Sequence, residues 1–297
     1  MKKGDMSAVF KILIAGFGWG IIGVFSRPLS AAGLSAVQIT CVRSVIVAVG
    51  MAVILFVKDR SLLRIQLKDL WMFLGTGLLS IVFFNICYFL TIERATLAAA
   101  SILLYTAPCF VLLMSAIFFR EKITAQKTIA LILAFAGCAL VSGFSGGGMS
   151  LFALMTGISS GFGYALYSIF GTLALKKYQP FTVTFYTFLV ASAVMLPMSG
   201  VGVIMQVLTE DLYVLGNGLA LGLISTLLPF IFYTAGLKQM EAGKASVLAF
   251  AEPLVAAIAG IMIFKEKLNT QNGAGIGLIF LAILLLNIQI NMGRQRQ

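Results

Sequence analysis

Gly16-Phe17-Gly18-Trp19 returns 145 residues later as Gly161-Phe162-Gly163-Tyr164, and Phe119-Arg120-Glu121-Lys122 returns at the same shift as Phe264-Lys265-Glu266-Lys267. Working outward from these stretches, the same register pairs Phe25 with Phe170, Gly77-Leu78 with Gly222-Leu223, Ser80 with Ser225 and Tyr88 with Tyr233. It also pairs Ala100-Ser101 with Ala245-Ser246, Leu103 with Leu248 and Pro108 with Pro253, without a gap. Apolar helices share Leu and Ala through composition alone. They do not share a proline, aromatic residues and a charged triplet in one register unless a segment was duplicated. The chain therefore divides into residues 1–144 and 145–297, two copies of one unit, although the second span of each copy matches poorly.

Composition says what kind of unit it is. Of the 297 residues, 60% are hydrophobic and 10% charged, and the mean hydropathy is +1.05. Soluble domains carry roughly 25% charged residues. Too little polar surface is available for a water-soluble particle, which excludes a cytosolic enzyme, a secreted disulfide scaffold and a disordered chain. Histidine is absent, removing imidazole bases, Ser-His triads, histidine-held metals and haem. The four cysteines, Cys41, Cys87, Cys109 and Cys138, sit far apart in apolar runs and read as small buried hydrophobes, so no metal site or cofactor is expected. No cleavable signal is evident, because the run after Lys2 and Lys3 is long enough to span and no A-x-A-like site closes it.

A spanning helix needs ~20 mostly apolar residues. Ten runs qualify: 8–27, 35–57, 68–91, 96–119, 124–143, 150–174, 181–199, 212–236, 244–264 and 271–291. The expected fold is an all-α integral membrane protein of ten transmembrane helices. Loops are short, the longest near 200–211, and leave no room for a soluble domain. With the N-terminus in the cytoplasm, 16 of the 21 Lys and Arg fall in cytoplasmic segments, four (Arg27, Arg94, Lys265, Lys267) fall outside, and Arg43 lies within a span. That asymmetry orients both termini to the cytoplasm. It also explains the net charge of +11 without invoking nucleic acid.

Parity gives the geometry. Each copy holds five spans, an odd number, so the second enters the bilayer from the opposite side. Two five-helix inverted repeats result, related by a pseudo-two-fold axis in the membrane plane, with a site expected near the midplane between them. At this point the chain resembles the drug/metabolite transporter superfamily, EamA type. The resemblance covers nearly the whole chain. It rests on ten spans in two halves, a Gly-aromatic first helix in each, Pro in the fourth and Glu-Lys just after that helix. It implies transport, often efflux, of amino acids and other small metabolites across the inner membrane.

Charges inside a span cost at least ~2.5–3.5 kcal/mol at a helix centre, so each needs a reason. Arg43 and Glu252 each lie about eight residues, roughly 12 Å, into their spans, counted from opposite faces. They can meet in one cavity, either as a fixed ion pair or as holders of the two ends of a zwitterion; alternatively Arg43 is bound to backbone carbonyls. Glu252 could also carry a coupled proton, since burial favours the neutral form of any carboxylic acid. Pro108 and Pro253 occupy matching places and free the carbonyls of Leu104 and Ala249, making them candidate hinges. Ser101 and Tyr105 share a helix face that Ser246 and Phe250 repeat. Trp19 with Tyr164, and Tyr88 with Tyr233, are repeat mates toward span interiors, and Asn85 lies one turn before Tyr88. Together these residues are the expected substrate-binding set.

A secondary transporter is the reading they support, working on a small-molecule substrate in the lipid bilayer. Amino acids or related zwitterions fit best; a proton-coupled organic cation exporter is the alternative. A membrane-embedded enzyme would need clustered acid–base groups at depth, and Glu252 is the one deep carboxylate. A channel would want rings of carbonyls or charges. The Ser145-Gly146-Gly147-Gly148 stretch lacks a P-loop lysine and reads as the link between repeats. The sequence leaves monomer and homodimer equally open.

Overall fold

The computed structural model describes residues 3–95, 97–141, 150–265 and 270–292. The link Ser145–Gly148 and the Glu266-Lys267 pair of the second charged triplet lie outside them. Among the described residues there are helices and turns but no strand. In chain order the helices are α1 (Met6–Ala31), α2 (Ala36–Lys58), α3 (Leu67–Arg94), α4 (Ala99–Phe119) and α5 (Ala125–Val141). They continue with α6 (Leu151–Leu175), α7 (Pro180–Met198), α8 (Val201–Glu210), α9 (Leu212–Leu237), α10 (Ala242–Phe264) and α11 (Thr270–Met292). Eight of these are long and apolar enough to cross a membrane, where ten spans were expected; α5, α8 and the Gly273–Leu286 stretch of α11 are apolar but shorter.

The 200–211 segment, expected as a loop, is the helix α8. Gly200 takes a left-handed turn (φ +64°) out of α7, and the apolar run of Val201, Val203, Ile204, Met205, Val207 and Leu208 then coils, burying Ile204. The run is too short to span, which made it read as a loop.

Local signals mark the other ends. Ser35 and Gln38 form a reciprocal capping box at the start of α2. Ser150 caps α6, and Asp211 caps α9 by accepting from the Tyr213 N–H at 2.7 Å. α3 and α9 each widen into π-helix, over Gly75–Val82 and Leu223–Leu227. The helix of α4 is interrupted at Tyr105–Thr106 and that of α10 at Ala249–Phe250, in both cases just before the matched proline. In α10 the freed Ala249 carbonyl is taken by the Glu252 N–H at 2.9 Å. Among the described non-glycine residues, only Arg120 (φ 57°) and Lys265 (φ 54°) have left-handed backbone, and each ends the helix that carries the matched proline of its half, Pro108 or Pro253.

Packing places α1 against α9 and α10, and α6 against α3 and α4, making two three-helix groups. α2 packs on α7, and α5 on α11. Close approaches across these contacts occur in exchanged pairs. A Cβ on Gly16 would lie 2.8 Å from the Cβ of Ala251, while one on Gly161 would lie 2.4 Å from the Thr106 hydroxyl oxygen. A Cβ on Gly18 would meet Pro229 at 2.4 Å, and one on Gly163 would meet the Phe84 Cβ at 3.1 Å. In both pairs the second contact is the first with each residue moved to its repeat mate. The glycines are required because any side chain there would hold the helices apart. Large side chains such as Phe17, Val53, Leu113, Ile132 and Met262 are exposed, a surface that suits hydrocarbon.

Candidate functional site

Between the two three-helix groups lies a cavity of about 540 Å³. It reaches from the middle of the bundle to the end that carries the α1–α2 and α3–α4 turns, called the open end below. Trp19, Tyr164, Arg43 and Glu252 line its depth, and Asn85, Tyr88, Ser101 and Tyr105 line its wall toward the open end. The cavity is aromatic with a few polar groups, the usual character of a site for an organic solute.

Arg43 and Glu252 share this space without pairing. No ion pair joins them among the described residues, and Arg43 Nε is buried with no hydrogen-bond partner. The fixed-pair expectation is therefore not realised here. Glu252, on α10, accepts a hydrogen bond from the Tyr164 hydroxyl of α6 at 3.3 Å, with the Tyr105 hydroxyl of α4 beside the same carboxyl. The carboxyl of one helix group is thus held by the Tyr164 phenol of the other. Asn85 accepts from Thr40 at 3.3 Å and donates to the Ile81 carbonyl at 2.6 Å. Tyr88 and Ser101 share a hydrogen bond of 3.1 Å.

The repeat mates of the open-end residues sit differently. Tyr233 and Ser246 line a separate pocket of about 20 Å³ below the cavity, together with Pro108, Tyr167 and Ser168. Phe250 is buried and packs on Tyr105 with ring centres 5.6 Å apart, and Pro253 is buried. Tyr233 bonds to Ser168 at 2.7 Å, and Tyr167 to Thr234 at 2.6 Å. These hydroxyl pairs join α6 to α9 across the two groups. Trp19 stands over them, edge-on to Phe230 at 5.2 Å, in the packing geometry aromatic pairs prefer.

Further from the cavity, the opposite end is closed. The Ala242 and Gly243 N–H groups at the start of α10 donate to the two carboxylate oxygens of Glu121, at 2.8 and 3.1 Å. The left-handed Arg120 turns Glu121 toward them. Lys127, itself buried, pairs with Glu241 at 2.5 Å and donates to the Lys122 carbonyl at 3.0 Å. Charge-assisted bonds of this kind are about twice as strong as neutral ones.

Sequence reasoning missed several cavity residues. Ile22, Ser26 and Ser30 line it from one stripe of α1, and Thr40 from the turn before Arg43. Polar residues four apart in an apolar helix were the available signal. Arg27, assigned to an outside segment, also lines the cavity and stacks over the Phe264 ring at 3.6 Å.

The profile of the EamA-like transporter family matches this chain twice, over residues 6–143 and 151–288. The chain belongs to that family. EamA proteins are part of the drug/metabolite transporter superfamily, so this is a multi-pass membrane transporter rather than an enzyme. An uncharacterized transporter of Archaeoglobus fulgidus is 31% identical over 90% of this chain and 94% of its own length. The pseudopaline exporter CntI of Pseudomonas aeruginosa is 26% identical over 95% of this chain and 96% of its own. A solved crystal structure of a protein 16% identical superposes with a TM-score of 0.79, covering 97% of this EamA chain and 99% of its own; the likeness is one of fold.

Proposed function

We propose that this EamA transporter exports amino acids or similar zwitterionic metabolites across the cytoplasmic membrane by alternating access, from a site shared by two inverted repeats. The observation that carries the substrate reading is the unpaired Arg43 facing the same cavity as Glu252. A cation at membrane depth that faces a cavity with its Nε buried and unbonded is costly, and a substrate carboxylate would complete it. The substrate ammonium would then sit on Glu252, with the aromatic walls around its carbon skeleton.

The two-fold layout is supported by the exchanged glycine contacts, the paired left-handed helix ends and the doubled family match. The Lys- and Arg-rich segments fall at the closed end, which supports a cytoplasmic side there, both termini included. The open cavity then faces away from the cytoplasm. Export requires the closed end to part while the open end shuts. The helix breaks before Pro108 and Pro253 are where α4 and α10 would bend.

Trp19, Phe84, Tyr88, Tyr105 and Tyr164 also line the cavity. That aromatic wall favours a second reading, an organic cation held over Glu252. A thermal-shift panel on the purified protein separates the two, because any selective ligand stabilises the folded state by mass action. Stabilisation by zwitterionic amino acids, lost when the carboxylate is amidated, is the expected result. Stabilisation only by quaternary ammonium compounds would reject the zwitterion reading.

A further inference from the structure

The seam between α1 and α10 is tight at one level and open at the next. At Gly20 a Cβ would lie 2.6 Å from the Val255 Cβ and 2.7 Å from the Glu252 carbonyl oxygen. One turn on, at Gly23, no atom lies within 4 Å of that position. The two helices therefore part toward the open end. Between them lies a slot of about 190 Å³. It branches from the main cavity, with which it shares Trp19, Gly23, Arg27, Glu252 and Ala256. Small side chains make the space: Gly23 on α1 faces Ala256, Ala259 and Gly260 on α10. The guanidinium of Arg27 on the Phe264 ring bridges its far end.

We infer that this slot is a specificity subsite taking one bulky, uncharged substituent of the substrate, aromatic or branched aliphatic. The inference rests on the zwitterion reading above. Glu252 stands at the mouth of the slot, so a group bonded to the carbon next to a substrate ammonium enters it directly. The lining is polar at Glu252 and Arg27, and the side chains between them, Trp19, Val24, Ala256 and Ala259, are apolar. The two charged groups, Glu252 and Arg27, stand at the two ends of the slot and leave the stretch between them to an uncharged group. A side chain the size of alanine's leaves the slot empty. A larger apolar one fills it and gains the burial that a hydrophobic pocket rewards.

Phenylalanine and alanine are the probes, with binding measured by calorimetry on the full-length protein in nanodiscs. Gly23→Leu fills the slot from a position with room for the new side chain, and Ala256→Leu fills it from the other wall. The ratio of phenylalanine to alanine affinity should fall at least ~10-fold in each variant, the scale on which hydrophobic pockets discriminate. A ratio unchanged in both variants would overturn the subsite while leaving the zwitterion reading standing. Wild-type protein binding neither probe would overturn that reading and the subsite with it.

Discussion

In the proposed mechanism, Arg43 is the residue on which substrate recognition turns. Its Nε lies buried and unbonded beside a cavity, so truncation removes a donor and leaves no group behind that has lost its protein partner. Hydrogen bonds to charged groups contribute about 1.5–3 kcal/mol. Arg43→Ala is therefore expected to weaken binding of a zwitterion by roughly 10- to 100-fold, with the protein's melting temperature retained; calorimetry and a thermal scan on the same sample check both. Equal binding by the variant would remove Arg43 from the site. Glu252 tests the other end. Glu252→Gln keeps the side chain's shape and its bond from Tyr164 but removes the charge, and transport should fall and lose its dependence on pH. Unchanged transport with an unchanged pH profile would take Glu252 out of the mechanism. These two residues were legible in the sequence because a charge deep in an apolar run is too expensive to be incidental. Tyr167, Ser168 and Thr234 were not. A hydroxyl in an apolar helix commonly bonds to its own backbone, as Thr234 does to the Phe230 carbonyl, and its neighbour across the seam is set by packing.

At the scale of elements, the exchanged glycine contacts set how near the helices lie. Gly16→Val would drive a branched side chain into Ala251, and Gly161→Val would drive one into Thr106 and the Leu103 carbonyl. Overpacking of this kind costs about 1–3 kcal/mol, so both variants should melt lower than wild type. Gly23→Ala, which meets nothing within 4 Å, should not. The closed end depends on Glu121 holding the first two N–H groups of α10. Glu121→Gln keeps one acceptor and loses the charge. Thiol-reagent labelling of a cysteine replacing the buried Ser246, applied from the closed-end side, should accelerate on the order of 10-fold in that variant. No acceleration would show that Glu121 does not hold this end shut. The sequence made the charged triplet visible but not its partner, because α4 and α10 meet only in the folded chain. Helix α8 escaped for a different reason: ten residues after a glycine satisfy neither the length of a span nor the polarity of a loop.

For the whole molecule, the two halves share an architecture but not a lock. The pairs Tyr167–Thr234 and Ser168–Tyr233 have as repeat mates Ile22 with Phe89 and Gly23 with Tyr88, which cannot form the same bonds. The closed end is thus tied by hydroxyl bonds that the open end has no means of making when it shuts, and the substrate-free protein should rest with the present end open. Thr234→Val should shift the population toward the opposite state, seen as a longer distance between spin labels at positions 122 and 238 in the closed end. An unchanged distance distribution would remove the lock. All of this depends on an odd number of crossings in each half, which turns the second copy upside down. The most direct measurement is the side on which an epitope inserted at residues 145–148 is exposed in intact cells, compared with tags at the two chain ends. The epitope should be reached from outside while both end tags are reached only after permeabilisation; an epitope found on the same side as the ends would contradict the inverted arrangement and the shared chamber built on it.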